Sequence, residues 1–143
     1  MTSQVPLHEG LFTWPAAKPQ LLGSRCSQCA EAAFPAQPDC RSCGSRDTAV
    51  VELGDQGTLW TWTIQTFLPK QPYLSDETAE TFRPYGVGYV EMPGGVRVEA
   101  RLHPNSSEQL QIGMAMQLDI IPFYTDENGN QKMTFAFSAM AED

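Results

Sequence analysis

All four cysteines of the chain fall within "CSQCAEAAFPAQPDCRSC". They form two Cys-x-x-Cys pairs, Cys26/Cys29 and Cys40/Cys43, with ten residues between them. No other feature restricts the fold as tightly. A thiolate pair spaced by two residues fits one tight turn. Two such turns, facing each other across a short hairpin, supply the four soft ligands of a tetrahedral zinc ion. A site of this kind has no position open to water or substrate, so the metal is expected to be structural. The stretch 23–47 holds few apolar residues beyond Phe34 and is expected not to fold without its metal. A dithiol redox centre needs one pair and leaves the other unexplained. An iron centre of rubredoxin type uses the same ligands, so zinc is expected while iron stays open. Gly44 follows the second pair, where a positive φ suits the turn. Ala30 holds the equivalent place after the first pair, where a less regular turn is expected.

The redox setting follows from the same thiols. The first residues, "MTSQVPLHEGLFTW", lack the basic and apolar regions of a signal peptide. Reduced thiols in such a chain point to a cytoplasmic protein. No apolar run approaches the roughly 20 residues that cross a bilayer, so no membrane role is expected. Nine Lys and Arg stand against seventeen Asp and Glu, a net charge of −8. That balance weighs against binding phosphate backbones.

Ahead of the cysteines, residues 1–22 form an apolar segment with Leu11, Phe12 and Trp14. A short helix is expected near its start, stopped by Pro15. After the cysteines, residues 48–143 change to period two. "GTLWTWTIQTF" sets Trp60, Trp62 and Ile64 on one face against Thr61, Thr63 and Gln65. "YGVGYVEM" and "VRVEARL" make a pair around a "PGG" turn, with Val96, Val98, Ala100 and Leu102 on one face against Arg97, Glu99 and Arg101. "GMAMQLDIIPF" and "QKMTFAFSA" make a second pair around "TDENGN". One helical turn is expected between the pairs, begun at Asn105 or Ser106. Five strands with glycines at sharp bends fit an OB-type barrel. The expected fold is all-β, with a rubredoxin-like zinc ribbon (23–47), a five-stranded OB-fold barrel (48–143) and a short N-terminal helical segment.

The chemistry of a self-sufficient enzyme is missing. With all four cysteines assigned to metal, no thiol is left as a nucleophile. His8 and His103 are the two histidines, and both read as surface residues rather than bases. No glycine-rich phosphate loop follows a strand. The long connection 69–86, "PKQPYLSDETAETFRPYG", exceeds a hairpin loop. It is either a solvated insertion or a functional loop.

A four-cysteine ribbon before an OB-like barrel resembles the zinc-ribbon/OB-fold family associated with acyl-CoA enzymes, long filed as a domain of unknown function. The stretches that carry the resemblance are "LLGSRCSQCAEAAFPAQPDCRSCGS", "GTLWTWTIQTF", "PYGVGYVEMPGGVRVEARL" and "IGMAMQLDIIPF". The resemblance implies a non-catalytic accessory subunit that pairs with a thiolase-like protein of the sterol-carrier type. The partner is a thiolase, aldolase or acyltransferase acting on a CoA thioester, and the assembly is a hetero-oligomer. Carried over by residue, the metal ligands are Cys26, Cys29, Cys40 and Cys43. Lys70, Tyr73, Phe82, Arg83 and Tyr85 of the long loop, with Phe12 and Trp14, are candidates to face the partner or the CoA. In the alternative, Tyr73, Phe82 and Tyr85 fold back to cap the barrel. Two rival functions stand beside this one. One is a freestanding acyl-CoA-binding module. The other is a single-stranded nucleic-acid binder stacking bases on Trp60 and Trp62, disfavoured by the charge and by an expected inward orientation of both rings.

Overall fold

The computed structural model describes residues 4–8, 10–66, 68, 75–78, 80–103 and 108–140. It is all-β: none of the described residues is helical. The nine strands are β1 (Gln4–Pro6), β2 (Leu21–Cys26), β3 (Ala32–Ala33), β4 (Thr48–Gly54), β5 (Gln56–Gln65), β6 (Tyr85–Glu91), β7 (Arg97–His103), β8 (Ala115–Thr125) and β9 (Gln131–Ala139).

Strands β5 to β9 close into a barrel. Going round it, β5 pairs with β6, β6 with β7, β7 with β9, β9 with β8, and β8 with β5. Of these five pairings only β7–β9 is parallel, the arrangement of an OB fold. Alternation in the sequence builds the interior: Val90, Val98, Leu102, Met116 and Phe137 are almost wholly buried. Both expected hairpins are present. Met92 N–H donates to Val96 at the "PGG" turn, and Asp126 N–H donates to Asn130 at the "NGN" turn. The expected helical turn at Asn105 or Ser106 lies outside the described residues.

Gly88 shows why glycine sits inside β6. A Cβ there would run into the Thr61 carbonyl of β5 and lie 2.9 Å from a methyl of Leu102. The strands can approach this closely only without a side chain.

Two expectations need correction. The N-terminus forms no helix among its described residues. Gln4–Pro6 pairs in parallel with Gln131–Met133, and Leu7 N–H donates to the Met133 carbonyl at 2.7 Å. So short a stretch gains little from a first helical turn, whereas β9 offers a ready row of backbone partners. The second correction concerns β5. Its register with β6 shifts between Leu59 and Thr61, leaving Trp60 as a bulge. Leu59 points into the barrel and is 1 % exposed, while Trp60 is 45 % exposed. Beyond the bulge the phase has moved by one, and Trp62 and Ile64 pack against the core. Trp60 and Trp62 therefore do not share an inward face.

Strands β3, β2 and β4 form a separate three-stranded sheet around the cysteines. It reaches past the expected 23–47 span at both ends, because β2 starts at Leu21 and β4 runs to Gly54. Leu21 and Leu53 join the barrel's core cluster, and Phe34 sets its ring edge-on to Phe135 of β9 at 5.4 Å. Ribbon and barrel share one apolar core.

Candidate metal centre

The end of β2 delivers Cys26 to a turn that closes at Ala30. The chain then returns through β3 and a proline-rich loop to Cys40, which opens a second turn closing at Gly44. The two turns repeat the same hydrogen bonds. Ala30 N–H donates to the Cys26 carbonyl and Gly44 N–H to the Cys40 carbonyl, both at 2.9 Å. Cys26 N–H donates to the Glu31 carbonyl, and Cys40 N–H to that of Ser45. Gln28 N–H points at the Cys26 sulfur and Ser42 N–H at the Cys40 sulfur, each at 3.4 Å. Ala30 takes φ 66° and Gly44 φ 78°. The first turn is thus as regular as the second, against expectation, and the alanine adopts the left-handed conformation that the hydrogen bonds demand.

The four sulfurs converge. Cys26 and Cys43 Sγ are 3.6 Å apart, Cys29 and Cys40 Sγ 3.5 Å, and all four lie within 4.8 Å of one another. A tetrahedral zinc with bonds of about 2.3 Å has sulfur–sulfur edges of about 3.8 Å, so the cluster has the size such an ion requires. Cys26 and Cys40 are buried, and Cys29 and Cys43 face outward.

The electrostatics divide each pair. The Cys29 N–H, pointing at the Cys26 sulfur, leads a set of hydrogen bonds that lowers its pKa to about 6 against the opposing effect of burial. The Cys43 N–H does the same for Cys40, which is also lowered. The Glu31 N–H favours the Cys29 thiolate, but the Cys40 thiol, burial and the other two thiols outweigh it and push Cys29 up to about 12. Cys43 is raised as well, the Ser45 N–H being outweighed chiefly by Cys26. Without metal, one thiol of each pair ionises early and its neighbour keeps its proton. A dication in the centre favours the thiolate form of all four.

The other expected site residues are scattered. Lys70 and Tyr73 lie outside the described residues. Phe82 packs edge-on against Tyr85 with ring centroids 6.0 Å apart, and the Arg101 guanidinium lies 3.8 Å over the Tyr85 ring. Arg83 is exposed, its backbone N–H bonded to the Glu77 carboxylate at 3.0 Å. Trp14 is half-buried against Phe12. Phe12 itself is 5 % exposed and belongs to the core, bridged to Leu21. Expected to present free surface, it presents none, because the ribbon's first strand folds over it.

The sequence reading missed one surface cluster. Trp60 meets Tyr89 edge-on at 6.2 Å, and Arg97 lies 3.9 Å over the Trp60 ring while bonding Glu91 at 3.1 Å. The signal was an extra residue in β5, visible only once the register with β6 is known. A cleft of about 470 Å³ separates the ribbon from the β6–β7 hairpin. Its arginines, Arg41 and Arg97, are matched by Glu31 and Asp39, so the lining carries no excess of positive charge for an anionic ligand.

Comparison with known proteins locates this arrangement. Residues 13–49 match the model described as the ChsH2 rubredoxin-like zinc ribbon domain, and residues 50–120 match the ChsH2 C-terminal OB-fold domain. The chain is 30% identical over 97 residues to the benzoylsuccinyl-CoA thiolase subunit BbsA of Thauera aromatica, covering 66% of this chain and 61% of that protein. It is 29% identical over 101 residues to a DUF35 domain-containing scaffold protein of Pyrococcus furiosus, covering 71% and 68%. Among solved structures it is similar to the Ltp2-ChsH2(DUF35) aldolase. There the TM-score is 0.61 at 26% identity, over 84% of each chain.

Proposed function

The chain belongs to the ChsH2 family of DUF35-type proteins, a rubredoxin-like zinc ribbon followed by an OB-fold domain. From that we propose that it is a non-catalytic accessory subunit of a thiolase-like enzyme, a thiolase or aldolase acting on CoA thioesters. One observation carries the reading: every thiol of the chain is drawn into one four-sulfur cluster. An acyl-transfer enzyme of this chemistry needs a free nucleophile beside a base, and that nucleophile would have to come from a partner. The relatives named as a thiolase subunit and as part of an aldolase support the same class of partner.

In this reading Cys26, Cys29, Cys40 and Cys43 hold zinc, whose four thiolate ligands leave no position for substrate. The metal's contribution is to lock two loops that have almost no core of their own. The exposed Arg83 and the Phe82–Tyr85 pair at the start of β6 stand toward the partner or the CoA. The reducing cytoplasm keeps the thiols available for metal.

The test is reconstitution. The purified chain, a thiolase-like protein of the same organism and the two together are assayed for cleavage or formation of a carbon–carbon bond in a CoA thioester. The account expects turnover only where the thiolase-like protein is present, and enhancement by this chain. Turnover by the chain alone would overturn it. Tight binding of CoA esters to the isolated chain, with no effect on the partner, would favour a freestanding acyl-CoA module.

A further inference from the structure

Most sheet edges among the described strands are guarded. The barrel closes through short β5–β8 and β7–β9 pairings, and where β8 runs on beyond β5 its free side is interrupted by Pro122. β1 is three residues long and ends at Pro6, and β3 is two residues long with Pro35 just beyond. β4 is different. It is an edge strand of seven residues, TAVVELG, paired on one side with β2. It contains no proline and no lysine, and its single charge is Glu52. Its register with β2 is unbroken from Thr48 to Glu52. Val50 is 66 % exposed. Long, regular, apolar edges of this kind are the ones that accept another strand.

We propose that β4 pairs with β4 of a second copy of this chain, antiparallel and centred on Ala49. A two-fold axis perpendicular to the sheet pairs residues whose numbers have an even sum, so that both strands keep the same faces together. Centred on Ala49, the small alanines meet at the axis and Thr48 of each copy lies opposite Val50 of the other. Arg46, exposed two residues before the strand, comes opposite Glu52 of the second copy, and symmetry makes that pair twice. Opposite charges directly across a strand pair are favourable. Moving the centre to Val50 instead puts Arg46 opposite Gly54 and Glu52 opposite Thr48 of the second copy, and the opposite-charge pair is lost. The charges thus select one register. The product is one continuous sheet, β3-β2-β4-β4-β2-β3, whose outer edges are the short, proline-limited β3 strands. Association therefore stops at two copies. It requires no other protein and is independent of the enzymatic reading above.

Sedimentation of the full, metal-loaded chain tests this. The buffer is at physiological salt, where a Debye length of about 8 Å screens the repulsion between two acidic molecules. A monomer–dimer equilibrium is expected between micromolar and millimolar chain, with amide protection across residues 48–54 rising as dimer forms. Arg46→Glu sets two glutamates against each other at both ends and is expected to weaken the dimer roughly tenfold. The double variant Arg46→Glu/Glu52→Arg restores it. Both residues are exposed, so folding and metal content stay as in the parent. A monomer throughout this range overturns the proposal. So does a dimer indifferent to Arg46→Glu, or protection of β4 that arises only with a different protein bound.

Discussion

Ala30 and Gly44 occupy the same place in the two cysteine turns and share a left-handed backbone, φ 66° and 78°, although only one of them is glycine. The alanine holds its N–H on the Cys26 carbonyl at the cost of a conformation that a Cβ disfavours. Ala30→Gly is therefore expected to stabilise the metal-bound ribbon by about 0.5–1 kcal/mol, the relief of strain exceeding the added freedom of the unfolded chain. Gly44→Ala should cost a similar amount. No atom stands within 4 Å of the added methyl, so the cost would come from the backbone alone. Metal competition with a chromophoric chelator reads both. Equal affinities in all three proteins would contradict the strain argument.

Replacing one ligand tests the cluster itself. One metal ion per chain is expected, and Cys40→Ser should retain little of it by elemental analysis. Metal binding must displace the protons that Cys29, at about 12, and Cys43 otherwise keep. Uptake should therefore release protons, and affinity should fall as the pH is lowered. A Cys40→Ser chain with full metal content would exclude a four-thiolate site.

The bulge in β5 predicts opposite outcomes for neighbouring residues. Leu59→Ala removes a side chain from the closed barrel and should cost about 2–5 kcal/mol in denaturant unfolding. Trp60→Ala removes a larger side chain from the surface and should cost about 1 kcal/mol or less, chiefly the contacts with Tyr89 and Arg97. A larger loss at Trp60 than at Leu59 would show that the strand runs in the other phase.

Where the chain's local chemistry is sufficient, the sequence could be read directly. The two Cys-x-x-Cys spacings name their own geometry, and the alternation in "VRVEARL" puts Val98, Ala100 and Leu102 inside, as found. The turns at Gly94–Gly95 and Gly129 carry the positive φ their glycines imply. What could not be read depends on partners distant in the chain. The Trp60 bulge is a property of the β5–β6 register, not of β5. Phe12 is core because β2 folds back over it, and β1 exists because β9 pairs with β7 only over Ala136–Ser138, leaving Gln131–Met133 to bond β1. The regular turn at Ala30 was obscured for another reason: propensity disfavours an alanine there, and hydrogen bonds override it.

His103 gives the fold a pH dependence of known sign. Its burial, reinforced by Arg101 and opposed by Asp119, holds its pKa below the ordinary 6.5. The unfolded chain therefore binds the proton more readily than the native one. The resulting stability is full above 6.5 and is lost as the pH falls below that value toward the lower native pKa. His103→Gln should flatten this part of the urea midpoint's fall on acidification relative to the parent. Parallel profiles for the two proteins would show that the imidazole titrates alike in both states.

The accessory role is tested most directly by what the chain carries when isolated under native conditions from the cells that make it. An affinity-tagged chain, expressed at its natural level, is purified and its intact mass measured with bound subunits and metal retained. The account predicts a hetero-oligomer containing a thiolase-like subunit in fixed ratio, one metal per copy of this chain, and CoA-thioester turnover by that assembly. Recovery of the chain free of any thiolase-like subunit, or catalytic turnover that survives after such a subunit is stripped away, would contradict it.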